Sequence, residues 1–398
     1  MTAPTASRPL WSFEFLAMCL VITAAFGNVS VFYSFYHYLG SIGIPLEWRG
    51  FLVGLEPMAA FFLRLIVLPW LHVRNAFAVV MVSLFMLIAA SWAYQTATTV
   101  SSLIVLRIFH GAVFVLLTSA AIALVVSFIP PERSGQGFSV LSIATMIPYA
   151  VIPPLSEAVL PYLRSEADVY AAVSVFSVLA IFLLAAVRRR VGTTLEGLDG
   201  ALLRRPSLSE IRENLGQRPV LALLAAILLT YLAHATVFYF LKDLSLQLQT
   251  GEVGIFFGVS MAAMIGVRAL AASRFDRVAK LPILRRAMGF LILCLSLLPL
   301  TPLPALYYLL AAGYGLCMGV ILPLLNALLF TVSPPPLRGL NTNLTVFTLD
   351  VAYFLVPYLG GTIIAFGGAF SFLFYLAAGF LILAVTLIST LASGTVKA

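Results

Sequence analysis

Apolar stretches of about 20 residues or more recur along almost the whole chain, from Trp11 to Ser393, and each has the length an α-helix needs to cross roughly 30 Å of hydrocarbon. A soluble globule has nowhere to bury so many segments of that length. At 62% hydrophobic and 10% charged residues, with a mean hydropathy of +1.07, the chain also lacks the polar surface that water requires. A membrane β-barrel would instead show short segments of alternating polarity. The net charge of +8 does not point to nucleic acid, because the basic residues fall between apolar segments rather than on one soluble face. The predicted class is an all-α integral membrane protein with lipid as its surrounding solvent.

Polar and Pro/Gly-rich breaks divide the chain into twelve segments, at about 11–39, 48–71, 76–97, 101–129, 136–160, 168–187, 219–246, 252–273, 284–300, 303–332, 340–366 and 369–392. This gives an N-terminal six-helix bundle over 1–187, a linker over 188–218 and a C-terminal six-helix bundle over 219–398. The linker holds seven arginines, and Ser207-x-x-Glu210 within it is a capping box that starts a short surface helix. Seventeen Lys and Arg residues fall on the linker side of the segments against three, Arg49, Arg164 and Lys242, on the other. The positive-inside rule therefore predicts both termini in the cytoplasm of a cell whose cytoplasmic membrane holds the chain. The first residues lack a small-residue cleavage site, so segment 1 is expected to serve as the insertion signal. Cys19, Cys294 and Cys317 lie inside apolar segments without metal-site spacing and read as buried small hydrophobes; no metal or cofactor is expected.

Landmarks in the two halves recur with an offset near 204: Gly54 with Gly258, Arg64 with Arg268, Gly111 with Gly315, and Pro130-Pro131 with Pro334-Pro335. Arg133 and Arg338 follow within a residue, as does Met58-Ala59-Ala60 with Met261-Ala262-Ala263; Val31-Phe32-Tyr33 and Val237-Phe238-Tyr239 are offset by 206. Two six-helix halves in parallel repeat are the architecture of alternating-access carriers, which hold their substrate between the halves.

These residues resemble the major facilitator superfamily. Ala272-x-x-x-Asp276-Arg277 is similar to the family's G-x-L-x-D-R turn, and Leu71-x-x-Arg74 keeps part of its first-half copy. Arg107-x-x-x-Gly111 resembles the family's R-x-x-x-G signature, and Pro357-x-x-Gly360-Gly361 resembles the P-x-x-G-G hinge of its exporter branches. The resemblance implies two pseudo-symmetric bundles, with segments 3, 6, 9 and 12 facing lipid and Arg74, Arg107, Gly111, Asp276, Arg277 and Pro357 in gating or structural roles.

A charge in mid-membrane costs about 2.5–3.5 kcal/mol on insertion scales, so such residues face a cavity or a partner. Arg64 sits in segment 2, Arg107 in segment 4 and Arg268 in segment 8, joined by Glu56 in segment 2 and Asp350 in segment 11. The repeat-equivalent Arg64 and Arg268 suit an oxyanion, because guanidinium stays charged and donates two parallel hydrogen bonds; the alternative is that each packs against helix-end carbonyls or an acid. Glu56 and Asp350 are the proton-coupling candidates, the alternatives being an interfacial position for Glu56 and a helix-helix hydrogen bond for Asp350. Asn28 and His234 share the 206 offset, and with Tyr33, Tyr239 and Asn326 they complete the candidate substrate-binding set. No nucleophile elbow or His-rich metal helix is present, which argues against an enzyme. The sequence thus predicts a monomeric, proton-coupled carrier of a small anionic or zwitterionic solute, with efflux of amphipathic compounds as the alternative.

Overall fold

The computed structural model describes residues 11–67, 73–129, 134–195, 208–275, 279–334 and 337–392, and within them the chain is helical with no strand. Ser12 starts the first helix by accepting a hydrogen bond from the Phe15 N–H at 3.2 Å. This helix, α1 (Phe13–Ser30), passes through a 3₁₀ turn at Val31–Ser34 into α2 (Phe35–Ser41), and together they form one membrane-length segment. The helices α3 (Leu46–Val67), α4 (Val73–Ala93), α5 (Val100–Ser127), α6 (Ser134–Val159) and α7 (Glu166–Leu195) follow. A short helix in the linker, α8 (Leu208–Gly216), precedes α9 (Arg218–Leu248), α10 (Val253–Phe275), α11 (Lys280–Leu297), α12 (Pro304–Val332), α13 (Arg338–Ala365) and α14 (Phe370–Ala392).

Proline in the first turn opens α9 and α12, where its missing N–H has no intrahelical partner to lose. At the far end of α9, Gln249 turns the chain with φ +53°, the left-handed cap that ends a helix sharply. Eleven of these elements are long and apolar enough to cross a membrane. The twelfth, α3, is 22 residues long and carries Glu47, Arg49, Glu56 and Arg64. The expected linker helix is found as α8, while α7 runs two turns past its expected end, so Arg188, Arg189 and Arg190 ride on helix rather than loop.

Internal packing resolves the chain into two compact units, Met1–Phe32 with Phe62–Leu202 and Tyr33–Phe61 with Leu203–Ala398. In the first, α1 packs against α5, α6 and α7, and α4 against α5 and α7. In the second, α9 packs against α12, α13 and α14, and α11 against α12 and α14. These are the same pairings in repeat-equivalent order, which is the duplication read from the sequence. The second unit also takes in α2 and the first four turns of α3, so the packing division falls inside helices rather than only at the linker.

Several polar side chains inside the first unit bond to one another across helices. Asn28 donates to Ser177 Oγ at 2.9 Å, and Ser91 Oγ donates to Asn28 Oδ1 at 2.9 Å, which ties α1 to α7 and α4. A completely enclosed imidazole, His110, shares a 3.0 Å hydrogen bond with the Tyr94 hydroxyl, to which Arg107 Nη1 donates at 3.3 Å. The Phe32 ring lies 5.3 Å from the Arg107 guanidinium and stacks on Tyr170 at 4.5 Å. All three cysteines are buried and free.

Glycine sets the close helix approaches in the second unit. Lipid tails give apolar side chains no reason to prefer each other, so helices in a bilayer associate where small residues let backbones meet. Gly315 and Gly319 of α12 lie against Ser260, Met264 and Val267 of α10; a Cβ added at Gly315 would collide with the Ser260 carbonyl and stand 2.8 Å from its Cα. Replacement of Gly315 by valine is accordingly expected to lower stability by about 1–3 kcal/mol. Valine at Gly266, where an added Cβ meets nothing within 4 Å, is the matched control. Thermal unfolding of the two purified variants in detergent checks the difference.

Candidate substrate and coupling site

Two features of the second unit bring polar chemistry together at membrane depth. The first is a cluster on α9, α10, α12 and α13. Tyr231 and His234 stand one turn apart on α9 and so share a face. Arg268 of α10 lies within electrostatic reach of both. His234 Nδ1 is hydrogen-bonded to the Tyr314 hydroxyl of α12, and the two rings are nearly parallel at 13° with centroids 6.1 Å apart. Tyr353 of α13 closes the group, 6.2 Å from His234 and 5.6 Å from both Phe238 and Tyr239. The result is a cation, an imidazole and several hydroxyls set in an aromatic wall.

Tyr231 also lines a cavity of about 320 Å³ with Asn326, Leu329, Phe330, Asn341, Thr345, Val346 and Leu349. Its polar groups are amides and hydroxyls, and the rest of its wall is apolar. Asn341 is itself held from outside: its amide exchanges hydrogen bonds of 2.6 and 3.2 Å with Asn214 of the linker helix and donates to Ser333 at 2.6 Å. Because Tyr231 belongs to both cavity and cluster, the Arg268 guanidinium stands one side chain away from the open volume.

The second feature is the pairing of α3 with α13. Gly50 packs against Pro357 and Gly361, with a Cβ on Gly361 only 2.5 Å from the Gly50 Cα. Gly54 lies under Phe354, and the Phe61 ring meets Phe347 at 5.5 Å and Phe354 at 5.8 Å. These contacts run antiparallel, and their register brings Glu56 to within about one helical turn of the level of Asp350. Glu56 is 6% exposed and Asp350 is half-buried. Pro357, Gly360 and Gly361 thereby acquire a visible packing role, since Gly361 admits Gly50 of α3 and Gly360 admits the Phe240 ring of α9.

The sequence-predicted residues divide between these places. Arg268, His234, Tyr239 and Asn326 belong to the cluster and cavity, and Glu56, Asp350 and Pro357 to the α3–α13 pair. Tyr33 is buried against Phe257 at 5.7 Å, beside the Lys242 ammonium. Asn28 lies in the polar knot of the first unit, and Arg107 with Gly111 in its buried core. Arg64 is half-buried in the last turn of α3, within the first unit. Asp276 and Arg277 lie outside the described residues, as does the side chain of Arg74. Tyr231, Asn341, Thr345 and Tyr353 are site residues that sequence reasoning missed, although Tyr231 could have been found from its one-turn spacing to His234. Among the described residues no group of three His, Cys, Asp or Glu side chains could hold a metal ion.

The sequence profile of the Major Facilitator Superfamily matches residues 18–356. No curated protein matches the chain by sequence. A point mutant of the nucleoside transporter NupG superposes with a TM-score of 0.75 at 12% identity, covering 95% of this chain and 99% of its own. Unmutated NupG gives 0.74 at 11% identity, covering 96% and 100%. A bacterial homologue of the human lysosomal transporter Spinster, solved inward-facing and occupied, gives 0.72 at 12% identity, covering 98% and 99%. At these identities the likeness is one of fold.

Removal of the Tyr314 hydroxyl is expected to take the partner from a half-buried imidazole nitrogen and to cost about 1 kcal/mol. Thermal unfolding of Tyr314→Phe against the wild type measures this.

Proposed function

The chain belongs to the Major Facilitator Superfamily, and from that premise we propose that it is a secondary carrier of a small organic anion or zwitterion, coupled to protons and working by alternating access in the cytoplasmic membrane. The observation that carries the substrate class is Arg268, which lies within electrostatic reach of His234 and of Tyr231, the latter lining a cavity with amide and hydroxyl groups. A guanidinium in a low-dielectric setting selects for an oxyanion, since its five donors match a carboxylate or phosphate in two parallel bonds. The apolar part of the wall, Leu329, Phe330, Val346 and Leu349, suits the body of such a solute.

Proton coupling is assigned to Glu56 and Asp350, supported by their lying within about one helical turn of the same level on the closely packed α3 and α13. A carboxyl that is wetted from alternate sides can load a proton on one and release it on the other. The apolar half of the cavity favours a second reading, efflux of amphipathic compounds, which competition separates because a site for lipophilic cations should ignore carboxylates.

A thermal-shift panel of carboxylates, phosphates, sugars and lipophilic cations on the purified protein tests the substrate class. An anion at about 100 times its dissociation constant should stabilise the wild type by about 2.7 kcal/mol, with the shift lost in Arg268→Ala and partly kept in Arg268→Lys. Stabilisation by cations alone, or an anion shift that survives Arg268→Ala, contradicts the assignment. In proteoliposomes, Glu56→Gln or Asp350→Asn is expected to abolish accumulation driven by a pH gradient while leaving exchange of labelled for unlabelled solute in place.

A further inference from the structure

The face of the second unit opposite the linker is built by α2 and the start of α3 lying on α9, α13 and α14. Tyr36 inserts between Phe240 at 5.1 Å and Phe370 at 6.2 Å, and its hydroxyl is buried with no hydrogen-bond partner. The next residue, His37, places Nδ1 3.2 Å from Asp243 Oδ1 on α9, with side-chain exposures of 38% and 13%. Asp243 Oδ2 is buried without a hydrogen-bond partner, so the imidazole is the group that answers this carboxylate. The other ionisable groups around the pair are Tyr36 on α2, Lys242 on α9, whose ammonium lies 5.6 Å over the Tyr33 ring, and Arg49 on α3. Arg49 donates Nε–H to the Ile44 carbonyl at 2.9 Å, and its guanidinium lies against Gly40. His37 and Asp243 are 206 residues apart, the offset that relates Tyr33 to Tyr239, so the two members occupy equivalent positions of the repeat.

We propose that His37 and Asp243 form a proton-operated latch that holds α2 onto α9 and so closes this face of the second unit. Histidine is the side chain that ordinarily changes charge between pH 5 and 8. With a proton taken from solvent, both ring nitrogens donate and Nδ1–H bonds the carboxylate as an ion pair; when the proton leaves, at most a hydrogen bond from an uncharged imidazole remains, and α2 is held less firmly. Closure is therefore favoured at low pH and weakened as pH rises. The latch is separate from Glu56 and Asp350: it sets when the face opens, whichever acid carries the driving proton and whichever solute is moved.

Hydrogen–deuterium exchange on the full chain in nanodiscs, corrected for intrinsic rates, tests this at pH 5.5 and 8.5. Peptides covering residues 33–45 of the wild type are expected to exchange on the order of tenfold more slowly at the lower pH, as for gain of a charged hydrogen bond. His37→Gln and Asp243→Asn should each remove the difference, and His37→Lys should exchange slowly at both pH values. Peptides from α5 and α7 report whether each variant is folded. A pH difference that persists in His37→Gln, a folded His37→Lys that exchanges as fast as His37→Gln, or slowing that follows sodium at fixed pH would each overturn the latch.

Discussion

Hydrocarbon solvates neither a peptide group nor a charge, and every other feature of the protein follows from that. Backbone N–H and C=O groups must bond within their own segment, so the described chain is helix joined by short turns. Apolar side chains gain nothing by leaving lipid for each other, so the tightest helix contacts are made through glycine, at Gly50 with Gly361 and at Gly315 with Ser260. Charges survive where other groups surround them. Arg107 is enclosed by a tyrosine hydroxyl and an aromatic face, while Arg268 stands among Tyr231, His234 and a cavity. The same chemistry thus has two settings: in one place the cation lies in a packed core, and in the other it stands one side chain, Tyr231, from an open volume.

The duplicated scaffold makes this division of labour visible. Five helix pairings recur in the two units, yet equivalent positions are used differently. Asn28 is locked between Ser91 and Ser177, with its amide bonded on both sides. At the equivalent position His234 instead meets Tyr314, Tyr353 and Arg268 beside the cavity. Symmetry supplies the frame, and departures from it supply the chemistry.

What was legible in the sequence follows from the strength of each signal. Twenty-residue apolar runs are unambiguous, so the helices appear with small boundary shifts, as at α7, whose polar end continues the helix beyond the hydrocarbon span. The 3₁₀ turn at Val31–Ser34 was invisible because it holds neither proline nor glycine, and Ser34, like Ser30 just before the turn, is tolerated within a membrane helix. Tyr353, Asn341 and Thr345 were passed over because the polar residues of segment 340–366 are spread around a helical projection and mark no single cavity face. The His37–Asp243 pair was legible in principle, since the offset already matching Tyr33 with Tyr239 leads from one to the other. It was missed because the two residue types differ, and repeats are noticed through identity rather than complementarity.

The placement of α3 finally joins the packing to the proposed mechanism. This helix is continuous from Leu46 to Val67, and the division between compact units falls within it, after Phe61. Glu56 therefore belongs to one unit and Arg64 to the other, about 12 Å apart along one rod at 1.5 Å per residue. The rod is pressed on α13 through Gly50 and Gly54, where the backbones leave no room for a side chain to cushion movement. A change of charge at Glu56 or Asp350 alters the balance of forces across that contact, and a stiff helix carries the resulting displacement along its length. In the proposed mechanism the proton then acts on a contact of backbone against backbone, with no chain of relaying side chains.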